Sequence, residues 1–156
     1  MSVAFVKEPN EDQVEVLPDR ELGQEPSLVT ERGLKLIDEA IAADEARLAA
    51  AREAGDKVGM ATLNRDLRYW RARRALAEVV VPDAGADIVQ FGCAVSIERD
   101  DGRQQTFRIV GTDEADPKTG FLSFSSPLAR ALIGKGVGES VRAGEGEAEI
   151  VGIAVD

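Results

Sequence analysis

From Thr30 the apolar residues Leu34, Ile37, Ile41 and Leu48 recur at spacings that place them on one helical stripe, and Thr30 itself is suited to cap the free N–H groups of a helix start. Gly55-Asp56 ends that helix. A second helix is predicted from about Met60, where Met60, Leu63, Leu67 and Trp70 repeat three and four apart before an alanine-rich stretch to Val80. Two helices joined by a short turn pack antiparallel. A turn centred near Lys57 sets Leu48 against Leu67, Ala51 against Leu63, Ile37 against Ala77 and Leu34 against Val80, so the two stripes match. The same register brings Asp44 beside Trp70 and Arg74 beside Ile41. Two readings of those charges stand: an ion pair that fixes the register, and two side chains that face solvent.

Pro82-Asp83-Ala84-Gly85 reads as a linker, and beyond it the period changes from helical to alternating. Ala94 to Ile97 and Gln105 to Val110 flank the turn Asp100-Asp101-Gly102, a hairpin signal. A third strand, Phe121 to Phe124, leads into a short, sharply bounded helix. There Ser126 is the cap, Pro127 fits the first helical position and Gly134 supplies a left-handed stop. Leu128 and Leu132 share the face that so short a helix must bury, which leaves Arg130 on the other side. Val137 to Arg142 and Ala148 to Val155 form a last strand pair around Gly144-Glu145-Gly146. Five strands closed by antiparallel pairings and one short helix make a small sheet domain, and the fold class is α+β.

Three segments follow: an acidic flexible or loosely docked arm at 1–28, an antiparallel coiled-coil hairpin at 29–83, and a sheet domain at 84–156. The arm holds Pro9, Pro18 and Pro26 and too few large apolar side chains for a core of its own, although Val3-Ala4-Phe5-Val6 could add a strand. Net charge is −10, from 29 acidic and 19 basic side chains, which argues against binding duplex nucleic acid by neutralising phosphates. The second helix departs from that balance. Arg65, Arg68, Arg71, Arg73 and Arg74 face only Asp66 nearby in sequence, a basic stripe that is either solvated surface or a contact with something anionic. The single cysteine, Cys93, excludes an internal disulfide, and without histidine the familiar zinc sites and Ser-His or Cys-His nucleophiles cannot be built. No run of eighteen apolar residues and no signal-peptide pattern is present, so the expected compartment is the cytoplasm, with no membrane partner.

The wording of the sheet domain resembles the C-terminal domain of the Gre family of bacterial transcription elongation factors. It does so through Phe91-Gly92, Arg108-Ile109-Val110-Gly111, Asp113-Glu114-Ala115-Asp116 and the Ser125-to-Lys135 helix. The resemblance implies an N-terminal coiled coil joined to a C-terminal FKBP-like sheet domain, and a protein that regulates transcription elongation by docking at the rim of the RNA polymerase secondary channel. It further implies that Asp113, Glu114 and Asp116, with Ser126, Pro127 and Arg130, form the docking face. Each also has a local role open to it, the aspartates as turn formers and Ser126 as a cap. RNA or DNA in the elongation complex would be met only indirectly, through the hairpin.

In cleavage-stimulating members of the family the hairpin tip delivers two acids, spaced three apart after a glycine, to a catalytic magnesium ion. Here Asp56 stands at the first position and Gly59 at the second. One carboxylate is a poor magnesium partner, because the ion keeps its waters unless several oxygen ligands converge. Against the family pattern each arm is also shorter by about ten residues, roughly 15 Å of reach. The expectation is therefore a Gre-like regulator without efficient cleavage stimulation, not an enzyme, with no metal or cofactor of its own and magnesium entering only through the polymerase. An active cleavage factor is the alternative within the family. A peptidyl-prolyl isomerase, suggested by the FKBP-like fold alone, is the alternative from another class.

Overall fold

The computed structural model describes residues 16–156. The expected strand at Val3 to Val6 lies outside them. Two long helices, α1 (Glu31–Ala54) and α2 (Lys57–Leu76), form the hairpin, about 36 Å and 30 Å long at the usual helical rise. Thr30 caps α1 as expected, its hydroxyl accepting from Gly33 N at 2.9 Å. The turn is tighter than the apolar spacing implied. Gly55 closes α1 in the left-handed conformation (φ 67°), and the very next residue, Asp56, caps α2 by accepting from Gly59 N at 2.9 Å. The second helix thus starts three residues before Met60, because its first turn is fixed by a cap and not by the seam.

Ile37, Leu48, Ala61 and Leu67 are buried between the helices. Two ion pairs cross the hairpin, Asp38 with Arg74 at 2.7 Å and Glu45 with Arg71 at 3.1 Å, and they bracket the register that sets Leu48 against Leu67. Asp44 is not the partner of Arg74. It is buried and pairs with Arg47 one turn along its own helix at 3.0 Å. The base of the hairpin also differs from expectation. Helix α2 ends at Leu76, and Glu78–Val79 become a strand, β2, paired in parallel with β1 (Leu28–Val29) through Glu78 N to Ser27 O (2.8 Å) and Val80 N to Val29 O (2.9 Å). Val79, Val80 and Val81 are β-branched, which favours this exit over further helix. The facing pairs Ile37–Ala77 and Leu34–Val80 therefore do not form as helix-on-helix contacts.

The C-terminal sheet contains β3 (Ala94–Arg99), β4 (Gln104–Val110), β5 (Phe121–Ser123), β6 (Ser140–Ala143) and β7 (Gly146–Ala154), in the spatial order β5-β4-β3-β7-β6. Three pairings are antiparallel, but β5 runs parallel to β4, so the sheet is not closed by antiparallel pairs alone. The loop after β4 reverses the chain in a short turn at Pro117–Thr119 before β5 begins, which restores the original direction. Between β3 and β7 the register shifts at Ser96/Ile97, an irregularity of the kind that curls a sheet. Helix α3 (Pro127–Leu132) packs on β6 and buries Ala129 and Leu132 among Val95, Ile97, Ile109 and Ile150, all at 0% exposure. Full burial of each large side chain there contributes roughly 1.5–3 kcal/mol. No helix among the described residues is long and apolar enough to cross a membrane.

Candidate functional site

The loop after β4 grips the base of the hairpin with two adjacent carboxylates. Asp113 takes α2: Arg73 Nε lies 2.6 Å from Asp113 Oδ2, and the Tyr69 hydroxyl donates to Asp113 Oδ1. Glu114 takes the start of α1, where Arg32 Nη1 lies 2.7 Å from Oε2 and the Thr30 hydroxyl donates to Oε1. That end of a helix favours negative charge. Arg32 also lies over the Phe121 ring, 4.2 Å from its centroid, so the first turn of α1 is held to β5 as well. Arg73 and Glu114 are only 5% and 6% exposed, which makes these contacts part of the interior and not of a solvated surface.

Of the six residues expected on a docking face, Asp113 and Glu114 are thus turned inward. Charged residues in a turn read as surface from sequence, but here two helices carrying arginine, tyrosine and threonine lie against them. Asp116, Pro127 and Arg130 are exposed, while Ser126 is half-buried and caps α3 by accepting from Ala129 N at 3.3 Å. Asp116 bridges to Phe121 at the start of β5, the strand that leads into α3. Nothing in the sequence around the loop points to Tyr69, Thr30 and Arg32 as its partners. Their only sequence signal was position, at the two ends of the hairpin nearest the linker.

The Tyr69 phenol is pushed up to about 12, first by burial and then by its hydrogen bond to the Asp113 carboxylate. The folded protein therefore holds this proton more tightly than the unfolded chain, whose phenol ionises near 10.0. The stability tied to the protonated phenol is intact below pH 10 and declines as pH rises from about 10 to about 12. Tyr69 is the single tyrosine, so ultraviolet absorbance of tyrosinate reads it directly. A folded-state midpoint close to 10 would contradict the buried hydrogen bond.

The basic stripe is also answered from within the chain. Arg65 pairs with Asp66 at 3.2 Å, Arg68 with Asp19 at 2.5 Å, Arg71 with Glu45 and Arg73 with Asp113. Acids distant in sequence supply three of these four partners, which is why the local count found only Asp66.

At the tip, Asp56 is engaged in capping Gly59 N, and Gly59 has no side chain to offer. A Cβ built at Gly59 would meet the Asp56 carboxylate itself, so a side chain there must displace the cap. Glu53 lies on α1, before the turn. This donor set does not fit a magnesium ion, which needs several converging hard oxygens. In the sheet domain Phe91 and Phe124 meet edge to face at 5.6 Å within or against the core, so these rings act as packing.

Residues 84–154 match the C-terminal domain family of the transcription elongation factors GreA/GreB. A transcription elongation factor GreA of Chelativorans sp. is 49% identical over 69 residues, 43% of this chain and 44% of that protein. A GreA of Desulfovibrio desulfuricans is 39% identical over 111 residues, 67% of this chain and 65% of that protein. The matches thus span less than two thirds of the length of these curated relatives. Among solved structures, GreA factor homolog 1 of Thermus thermophilus is matched over 81% of this chain and 97% of that one, at 19% identity and a TM-score of 0.40.

Proposed function

We propose that the chain is a member of the Gre family of transcription elongation factors, and that it docks on bacterial RNA polymerase at the secondary channel and regulates transcription without stimulating transcript cleavage efficiently. The hairpin tip carries this reading. Its one carboxylate, Asp56, is bound to the backbone of its own helix, and the neighbouring position that would supply a second ligand is Gly59. In this reading Asp116, Pro127 and Arg130, exposed around the start of β5 and α3, meet the polymerase. The hairpin then occupies the channel mouth and excludes true cleavage factors.

Stalled elongation complexes test the proposal. The natural protein should leave transcript length unchanged yet compete with an authentic cleavage factor, and Asp116→Ala or Pro127→Ala should weaken that competition while the fold is kept. Asp56→Ala should alter cleavage negligibly but lower stability by about 1 kcal/mol through loss of the cap, readable as a fall in thermal midpoint. Robust magnesium-dependent cleavage that disappears on Asp56→Ala would establish the opposite reading, an active cleavage factor.

A further inference from the structure

Residues 17 to 22 lie along the outer face of α2, and the way they are held differs from ordinary packing. Arg68 donates from Nε to Asp19 Oδ1 at 2.5 Å and from Nη2 to the Leu17 carbonyl at 2.9 Å. Five residues further along α2, Arg73 donates from Nη1 to the Leu22 carbonyl at 3.2 Å. Between these points Arg20 points back at the helix. Its Nη1 lies 3.4 Å from Asp66 Oδ1, and its guanidinium sits 3.9 Å from the centre of the Tyr69 ring. The helix therefore reads a segment by its acceptors, a carboxylate and two carbonyls, and by one cation stacked on an aromatic ring. Pro18 favours an extended backbone at this place.

The strength of these contacts decides what they are for. The side chains of Arg20, Arg68 and Asp19 are 39%, 40% and 74% exposed, and ion pairs so open to water contribute about 0–1 kcal/mol each. The segment keeps its place chiefly because it is tethered, at an effective concentration on the order of millimolar. Such a strap is exchangeable. An untethered segment of the same chemistry, making the same contacts with a few more, would displace it.

We propose that the Arg65-to-Arg73 face of α2, with Tyr69, is a binding surface for an extended acidic segment of a protein partner, and that residues 17–22 are its resting occupant in cis. The strap continues past this face. Gln24, Glu25 and Pro26 line a cleft of about 490 Å³ with Phe124, Ser125 and Arg130 beside α3.

The test uses the full chain, the exposed substitution Asp19→Arg, and a fluorescein-labelled peptide with the sequence of residues 14–24, followed by fluorescence anisotropy. Replacing the Asp19 carboxylate by a second cation facing Arg68 loosens the cis occupant, and peptide affinity should rise by about fivefold over the natural chain. Adding Arg68→Glu in the Asp19→Arg background should abolish that gain. The double variant carries a swapped ion pair, so its Trp70 emission should return to that of the natural chain. Equal peptide affinity for the natural chain and Asp19→Arg would overturn the proposal. So would displacement of the labelled peptide by a short single-stranded oligonucleotide at lower concentration than by unlabelled peptide, since the face would then be a nucleic-acid surface.

Discussion

Gly111→Val should cost about 3 kcal/mol, toward the upper end for overpacking a closed interior. Gly111 is buried just after β4, and a Cβ there would collide with the carbonyl oxygen of Leu28, while the Leu28 carbonyl carbon and Val29 Cα lie at ordinary contact distance, 3.4 and 3.6 Å. Those atoms are backbone in β1, so no side-chain rotation relieves the clash. Either β1 leaves the sheet domain and takes its pairing with β2 along, or the loop carrying Asp113 and Glu114 moves away from the hairpin. Each route opens the same junction. Against a typical total of about 5–15 kcal/mol the loss is large, and urea titration followed by Trp70 fluorescence would register it. Gly111→Ala should show most of the effect, since Cβ alone makes the collision. A change below about 0.5 kcal/mol would mean that β1 is not held where the structure places it.

The second large effect is expected at the carboxylate that takes α2. Asp113→Ala leaves the guanidinium of Arg73 buried without its partner and removes the acceptor of the Tyr69 hydroxyl, at a cost of roughly 3–5 kcal/mol. Arg73→Leu with Asp113→Leu should recover much of that loss, because replacing both buried charges by apolar groups is often close to neutral in stability. A double-mutant cycle separates the two contributions. If the single Asp113→Ala variant were as stable as the natural protein, the loop would be a solvated turn and its inward geometry irrelevant. Glu114→Ala is the companion case on α1, where Arg32 is half open to water and the loss should be smaller.

Much of this architecture was readable from pattern. The stripe Leu34-Ile37-Ile41-Leu48 and its partner on α2 gave a hairpin, the change to alternation gave a sheet, and Ser126-Pro127 with Gly134 gave α3 nearly to its ends. What stayed hidden has a common physical cause. β1 and β2 are two residues long, too short to show any period, and their pairing joins Leu28 to Glu78 across the whole hairpin. The direction of β5 was equally invisible, because alternation reports which face a side chain takes and not which way the strand runs. The inward aim of Asp113 and Glu114 depends on Arg73, Tyr69, Thr30 and Arg32, all at least 40 residues away. Charge and turn propensity near Asp113 carry no record of such neighbours. At the tip the contact is local: Asp56 and Gly59 are three apart, and the cap that joins them falls within the reach of sequence pattern.

The β1–β2 pair also orders the assembly of the chain in time. Closing a loop of some fifty residues is entropically costly for a free chain, but α1 and α2 meet through local contacts across a two-residue turn, and once they have zipped the ends of that loop are already side by side. The hairpin should therefore nucleate first and the parallel pair close afterwards, before Asp113 and Glu114 of the later-synthesised domain have anything to grip. Amide exchange should register the same sequence in reverse, with the Glu78 and Val80 amides opening below the free energy of global unfolding while those at Ile37 and Leu67 do not.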